Sequence, residues 1–228
     1  MPRVLTFAQM NKRVDISREL IRLHRKKFFL RNLITCDESW IFFDNPHRGN
    51  QWLSPKEIGF PMPRRPLHGK EHMLCVLWTM RGPVHCELLP FNTSINSTLY
   101  CNQLTVVNNV VQAMRANRRW EGPVYFQQGN ARPHVSAQTL NHIREVLGWR
   151  LISYPPSSPD LAPSDYHLFL SLKNFLRGQN FKSADEVQNA VARYFASKME
   201  TMFFEHGIRK LCHRWQSVID LRGECFID

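Results

Sequence analysis

Three acidic residues lie at positions where a carboxylate could take part in chemistry. Asp37 stands in the middle of the run TCDESW, and burying a carboxylate inside an apolar strand is costly unless it binds a cation or a hydrogen-bond donor. Asp165 follows a Pro-rich loop at a predicted helix start, and Asp160 lies in the turn-like segment SPDL. Each also has a structural explanation: a solvent-exposed strand position for Asp37, a favourable first-turn acid for Asp165 and a turn acid for Asp160. On pattern alone, both explanations stand.

The end of the segment VYFQQGN, residues 124–130, is a fourth candidate position. The segment is predicted to be a strand because its first half is apolar and rich in β-formers. It stops at two amides, a glycine and an asparagine, and ARPH follows before the next predicted helix. Strand ends of this kind often carry a functional group into a pocket, yet this one has neither an acid nor an obvious nucleophile.

Hydrophobic periodicity gives the order of the elements that must position these residues. Helices are predicted over 8–27, around 100–114, over 135–149, and after residues 164, 183 and 203; strands are predicted over 31–45, 72–80, 83–91, 124–130 and 150–155. Ser164 is a candidate N-cap, and SADE at 183–186 is a capping-box sequence. A meander of strands followed by alternating helices and strands predicts an α/β fold with a mixed sheet covered on both faces.

Two segments fit more than one explanation. The basic helix over 8–27 carries Ile16, Leu20 and Leu23 on one side. It fits both a solvated amphipathic arm and a linker lying along DNA or a partner subunit. Residues 45–72 are too long and too Pro-rich for a hairpin turn, and long loops in compact domains are usually functional. An ordinary solvated loop is the alternative.

Composition and charge narrow the classes of protein. The chain has 228 residues, 43% of them hydrophobic, and a formal charge of +11 with a pI near 9.7. Such a surplus of cations favours polyanionic partners, most commonly nucleic acid. No apolar run approaches the ~20 residues of a membrane span, and the N-terminus lacks a signal-peptide pattern, so we expect an intracellular protein. The six cysteines form no CxxC pair, which predicts reduced thiols rather than a zinc knuckle or a disulfide framework.

Several of these segments together resemble a known family. TCDESWIFFDN, QWLSP, NARPH and PPSSPDLAPSDYHLF are similar to the catalytic domain of mariner-type DNA transposases, and the resemblance runs from about residue 5 to the closing FID. It implies an RNase H-like mixed five-stranded sheet with helices on both faces. It also implies a basic helical linker over 1–30 and a catalytic domain over 31–228 with a clamp-like loop at 45–72. The chain begins near the family's interdomain linker, so we expect it to lack the helix-turn-helix modules that read transposon ends.

The resemblance also assigns roles to the candidate residues. Three carboxylates hold two Mg²⁺ or Mn²⁺ ions in this family, and two of them match Asp37 and Asp165, which are therefore the expected catalytic and metal-binding residues. The second acid belongs directly before Asn130, where this sequence has Gly129. We therefore expect an incompletely occupied two-metal site, with cleavage impaired or absent. The interval from Gly129 to Asp165 is one residue longer than usual in the family, with the extra residue expected near EVLGW.

Partners follow from the same resemblance. DNA, both transposon ends and target, is the expected ligand, and a homodimer is expected through the 45–72 loop and the N-terminal linker. A family member would act in the nucleus, and no membrane partner is expected. The residues predicted to bind DNA are Arg48, Lys56, Arg64, Arg65, Lys70, Arg132 and His134.

Three functions remain open at this point. The first is a transposase catalytic domain, active or recently active in cleavage and strand transfer. The second is a domesticated or relict non-catalytic domain that binds DNA or a partner, and the third is an interaction module whose acids are incidental. Gly129 separates the first two, because a metal-dependent nuclease needs the acid that it replaces.

Overall fold

A five-stranded sheet with the strand order β3-β2-β1-β4-β5 forms the centre of the computed structural model, which describes residues 5–46, 54, 57 and 71–226. The strands are β1 (Leu33–Phe42), β2 (Glu71–Thr79), β3 (Gly82–Leu88), β4 (Tyr125–Gln127) and β5 (Arg150–Leu151). β1 pairs antiparallel with β2 and parallel with β4, so the sheet is mixed. The predicted α/β fold with a mixed five-stranded sheet is confirmed.

Helices connect and cover the strands in the predicted order. They are α1 (Phe7–His24), α2 (Ser97–Ala116), α3 (Arg132–Val135), α4 (Ala137–Asn141), α5 (Leu170–Leu176), α6 (Ala184–Met199) and α7 (Phe203–Asp220). None of the helices in these described ranges is both long and apolar enough to cross a membrane.

Alternation along β1 sends its side chains into two separate cores. Leu33 and Ile41 belong to the larger one, with residues of α1, α5, α6 and α7. Ile34 and Cys36 belong to the smaller one, which α2 closes from the opposite face. Helices therefore cover both faces, and neighbouring residues of β1 point toward different layers.

The helix predicted over 135–149 is broken in the structure. Ser136 has an extended backbone and accepts a hydrogen bond from Thr139 N, which ends α3 and begins α4. The chain then continues as a π-helical turn over His142–Val146. A π turn holds one residue more than an α turn, so it can absorb a one-residue insertion. This turn lies where the extra residue of the interval between Gly129 and Asp165 was expected.

Two predicted helix caps differ from the structure. Ser164 caps nothing, because its Oγ accepts a hydrogen bond from Trp78 Nε1 at 3.0 Å. Ser183 does cap α6 by accepting from Glu186 N, but the Glu186 carboxylate accepts from Lys182 N instead of returning to the cap residue. Both differences arise because a tertiary or neighbouring donor competes with the local one.

The N-terminal helix α1 packs on the larger core. Ile16 and Leu20 are buried there, and the helix lies along α7. Arg13 is fully buried, and its guanidinium group forms a bidentate pair with Asp160 at 2.9 and 2.5 Å. The domain boundary predicted at residue 30 stays a prediction, but α1 shares its core with the sheet.

Candidate active site

Asp37 lies on the central strand at the point where the sheet changes from antiparallel to parallel pairing. It is opposite Val76 of β2, two residues beyond the last β1 residue that pairs with β4. Its side chain is half-buried, and Oδ1 accepts a hydrogen bond from Glu38 N at 2.9 Å. Because Asp37 alternates with Ile34 and Cys36, it faces the layer that contains Asp165.

Asp165 lies in the first turn of a π-helical segment, Ser164–Phe169, that leads directly into α5. The Pro-rich loop before it is held by Asp160, whose carboxylate pairs with Arg13 and whose backbone oxygen accepts from Arg214 Nη1 at 2.8 Å. Asp160 is therefore a buried structural acid. It anchors the loop that presents Asp165.

The three positions assigned by the resemblance lie together. Asp37, Gly129 and Asp165 line one cleft of about 250 Å³, whose walls also include Gln127, His134 and Tyr154. Parallel pairing of β1 with β4 explains why these three positions lie together, because it brings the end of β4 beside the middle of β1. The sequence-predicted site is thus a single place in the fold.

The carboxylates in this cleft favour protonation when no cation is present. The pKa of Asp37 is raised to about 7, by burial first and then by the charges of Asp165 and Glu38. Burial also raises the pKa of Asp165, which Lys173 lowers in part. Two crowded, partly desolvated carboxylates of this kind are stabilised by a divalent cation. The donor set at these two positions therefore fits a hard metal ion.

Gly129 leaves the third position without a ligand. A Cβ added there would meet no atom nearer than His134 Nδ1 at 3.8 Å, and the backbone is outside the left-handed region. A side chain at 129 is therefore sterically acceptable. What this position lacks is an acid, and within the described ranges no group of three or more His, Cys, Asp or Glu side chains is arranged to hold a metal.

The three amides beside Gly129, all in the cleft wall, differ in whether their oxygens are already engaged. Gln128 is committed elsewhere: its Oε1 accepts from Tyr100 Oη at 2.9 Å and its Nε2 donates to the His134 carbonyl at 2.8 Å. Asn130 is exposed. Gln127 donates to the Leu161 carbonyl at 3.1 Å, while its buried Oε1 has no hydrogen-bond partner in the described part of the chain. Gln127 is the site residue that sequence reasoning missed, and strand alternation could have placed it in the cleft.

His134 is built into the wall of the cleft. Its Nε2 lies 3.1 Å from Glu38 Oε1, and its ring stacks on Tyr100 with centroids 4.4 Å apart. Its Nδ1 is buried and has no partner among the described residues. The sequence predicts that His134 binds DNA. Its side chain is only 1% exposed in the structure, so it can contact only a ligand that enters the cleft.

The other predicted DNA-binding residues divide into two groups. Arg132 is exposed at the start of α3. Outside the described residues lie Arg48, Lys56, Arg64, Arg65 and Lys70.

Comparison with protein families and known proteins gives consistent matches. The family model described as "Transposase (partial DDE domain)" matches residues 42–120. The human histone-lysine N-methyltransferase SETMAR is 36% identical over 229 residues, covering 99% of this chain and 33% of that protein. The Mariner Mos1 transposase of Drosophila mauritiana is 34% identical over 225 residues, covering 98% of this chain and 65% of that protein. The chain therefore spans less than two thirds of either relative.

Solved structures match over the whole chain. The crystal structure of the catalytic domain of Mos1 mariner transposase superposes with a TM-score of 0.82 at 32% identity, covering 100% of both chains. The Mos1 paired-end complex with the left transposon end gives 0.89 at 34% identity, covering 100% of this chain and 66% of that one. The mariner Mos1 paired end complex with Mg gives the same TM-score of 0.89, identity of 34% and coverage.

Proposed function

We propose, since this chain belongs to the mariner family of DNA transposases and has the RNase H-like fold of their catalytic domain, that it is a metal-dependent domain for DNA cleavage and strand transfer whose activity is impaired or absent. One observation carries the proposal. Asp37 and Asp165 share a cleft with Gly129, at the place where a third carboxylate would complete the site.

Divalent ions, when bound at such a site, activate a nucleophile and stabilise the leaving oxygen of a phosphodiester. In this chain Asp37 and Asp165 would hold them, with Mg²⁺ or Mn²⁺ as the metal. The side chain of Asp37 is fixed by its own backbone neighbour, and the Arg13–Asp160 pair fixes the loop before Asp165. The relative crystallised with Mg supports this choice of metal.

Loss of the third acid acts on both charge and geometry. The site has one carboxylate fewer to offset the metal charge, and the nearby Gln128 amide is committed to Tyr100 and His134. Losing one ligand of a catalytic metal is expected to lower the cleavage rate by several orders of magnitude, which is several kcal/mol of barrier.

The test is restoration of the acid. Gly129→Asp should nick supercoiled plasmid in Mg²⁺ or Mn²⁺ at least a hundredfold faster than the wild type, because the backbone at 129 accepts a Cβ without a close contact and the new side chain supplies the missing acid. Asp37→Ala in the Gly129→Asp background is the control and should return nicking to background. Wild-type nicking as fast as that of Gly129→Asp would show that the site works without the third acid.

A non-catalytic domain that binds DNA is the second candidate, favoured by the net charge of +11 together with Gly129. The Gly129→Asp variant in the same assay separates the two, since a domain that only binds DNA would leave plasmid intact even with the acid restored. DNA as ligand, a homodimer through the 45–72 loop and the N-terminal helix, and a nuclear location belong to either version of the proposal. The paired-end complex of Mos1 with a transposon end supports DNA as the ligand.

A further inference from the structure

Four arginines lie near the end of the sheet at which β1 begins. The cleft lies toward the opposite end of the sheet. Arg31 lies in the short turn before β1, Arg81 lies in the turn between β2 and β3, and Arg118 and Arg119 follow α2. We refer to these four residues as the arginine cluster. They line a cavity of about 60 Å³, together with Phe28, Asn32 and Glu121.

The positive charge of the arginine cluster is not balanced by the protein around it. No ion pair among the described residues engages any of the four guanidinium groups. Burial lowers the pKa of Arg81, and the charges of Arg31 and Arg119 lower it further. The dipole at the C-terminus of α2 accounts for cations at 118 and 119 but not for those at 31 and 81. Four like charges have therefore been brought together, and Glu121, the acid in the cavity wall, forms no ion pair with them among the described residues.

The cavity is held in shape by specific contacts. Arg81 Nη1 donates to the Arg31 carbonyl at 3.4 Å, and its guanidinium carbon lies 5.6 Å from the Trp120 ring centroid. Asn32 Nδ2 donates to the carbonyls of Glu121 and Pro123. Two wall residues that are not glycine have left-handed backbones, with φ of 70° at Phe28 and 55° at Arg118. Left-handed backbone at such residues persists only where the surrounding structure enforces it.

We propose that the arginine cluster binds a backbone phosphate of duplex DNA at a surface separate from the catalytic cleft. Guanidinium groups bind phosphate oxygens in bidentate pairs, and several converging on one small cavity match the tetrahedral anion. The charge of the phosphate would offset the repulsion among the arginines.

The surroundings favour a polymer over a free anion. A second, larger cleft of about 520 Å³ shares Phe28, Arg31 and Arg81 with the cavity and continues past Lys26 and Arg209, of which Arg209 is paired with Glu205. Cations therefore extend beyond the reach of one phosphate, as a nucleic-acid backbone requires. Arg31 lies two residues before β1 begins, and Asp37 is the fifth residue of that strand, which places the two surfaces roughly 15 Å apart. The phosphate bound here is therefore a different one from the phosphate in the cleft.

Binding of a 20-base-pair duplex of arbitrary sequence, measured in EDTA at several salt concentrations, tests the proposal. The cluster variant is Arg31→Gln, Arg118→Gln and Arg119→Gln, all at exposed positions; the charge-matched control is Arg144→Gln, Arg177→Gln and Arg193→Gln, also exposed. The cluster variant should bind about tenfold or more weakly, with a salt slope shallower by about 1 for the one phosphate contact that is lost. The control should lose no more than about threefold.

Other outcomes overturn the proposal in distinguishable ways. Equal losses in the two variants would mean that net charge alone drives binding. Inorganic phosphate at constant ionic strength is the second probe. If phosphate binding is lost in the cluster variant while duplex binding is kept, the cavity takes a small anion and the assignment to DNA falls. Arg81→Lys keeps the charge but removes the bidentate fork, so it should weaken duplex binding as well. The choice of DNA rests on the proposed function, but EDTA makes the result independent of whether the cleft cleaves.

Discussion

Asp37 shows how a residue proposed to bind metal can weaken the fold that carries it. The pKa of its carboxyl is raised from 3.8 to about 7, by burial first and then by Asp165 and Glu38. Below about pH 4 the carboxyl is protonated in both the folded and the unfolded chain. As pH rises from 4 to 7 the unfolded chain loses this proton while the folded chain keeps it, so stability falls across that window. Above pH 7 the carboxyl is ionised in both states, and the fall in stability is complete.

Removing this carboxyl should therefore stabilise the protein at neutral pH. We expect Asp37→Asn to raise the free energy of unfolding at pH 8 in EDTA by about 1–3 kcal/mol, because a neutral amide avoids the desolvation and the repulsion. The gain should shrink toward zero at pH 4. Urea denaturation across this pH range measures it, with the exposed Asp15→Asn as control. A gain that did not depend on pH would show that ionisation is not its cause.

At the scale of elements, the N-terminal helix and the loop before Asp165 form one unit. Arg13 of α1 reaches that loop through Asp160 and through Ser158 Oγ at 2.6 Å, and it also donates to the Gly223 carbonyl at 2.9 Å. All these bonds lie in the interior, where breaking a charge pair by removing one partner costs about 3–5 kcal/mol. Displacement of α1 should therefore change the position of Asp165.

Arg13→Met tests that connection. In the Gly129→Asp background it should lower metal-dependent nicking at least tenfold while Asp37 and Asp165 remain in place, because the loop that presents Asp165 loses its anchor. Arg18→Met is the matched control, since Arg18 is on the same helix but exposed. Nicking is measured at a temperature where circular dichroism shows both variants folded. Equal nicking by the two variants would separate α1 from the active site.

The sequence predicts these elements well where local periodicity agrees with tertiary packing. The β2–β3 hairpin and α2 carry continuous patterns, and their existence and order are confirmed. The break between α3 and α4 was missed because Ser136 is an ordinary helix residue until its hydroxyl caps Thr139. Within the site, motif resemblance located Asp37, Gly129 and Asp165, but no local pattern shows that Glu38 meets His134 across 96 residues.

At the scale of the whole molecule, the two ends of the sheet carry opposite electrostatic character. The end that holds Asp37 and Asp165 gathers carboxylates and favours cations. The other end gathers four arginines and favours anions. A chain with a net charge of +11 thus keeps its acidic cleft separate from this basic surface. DNA held at the basic end would leave the cleft available to metal.

Metal binding at the acidic end should register in the stability of the entire domain. A ligand that binds only the folded state stabilises it by RT ln(1 + [L]/Kd), so ten millimolar Mn²⁺ at a Kd near one millimolar contributes about 1.4 kcal/mol. For a chain of this size that is a rise in Tm of about 3–5 °C. Gly129→Asp should show a rise of this order and the wild type a smaller one, because the wild type has one ligand fewer.

Adding Asp165→Asn to Gly129→Asp should abolish most of the rise. The measurement is differential scanning calorimetry with and without Mn²⁺, and an equal rise in the wild type and Gly129→Asp would mean that position 129 contributes nothing to metal binding.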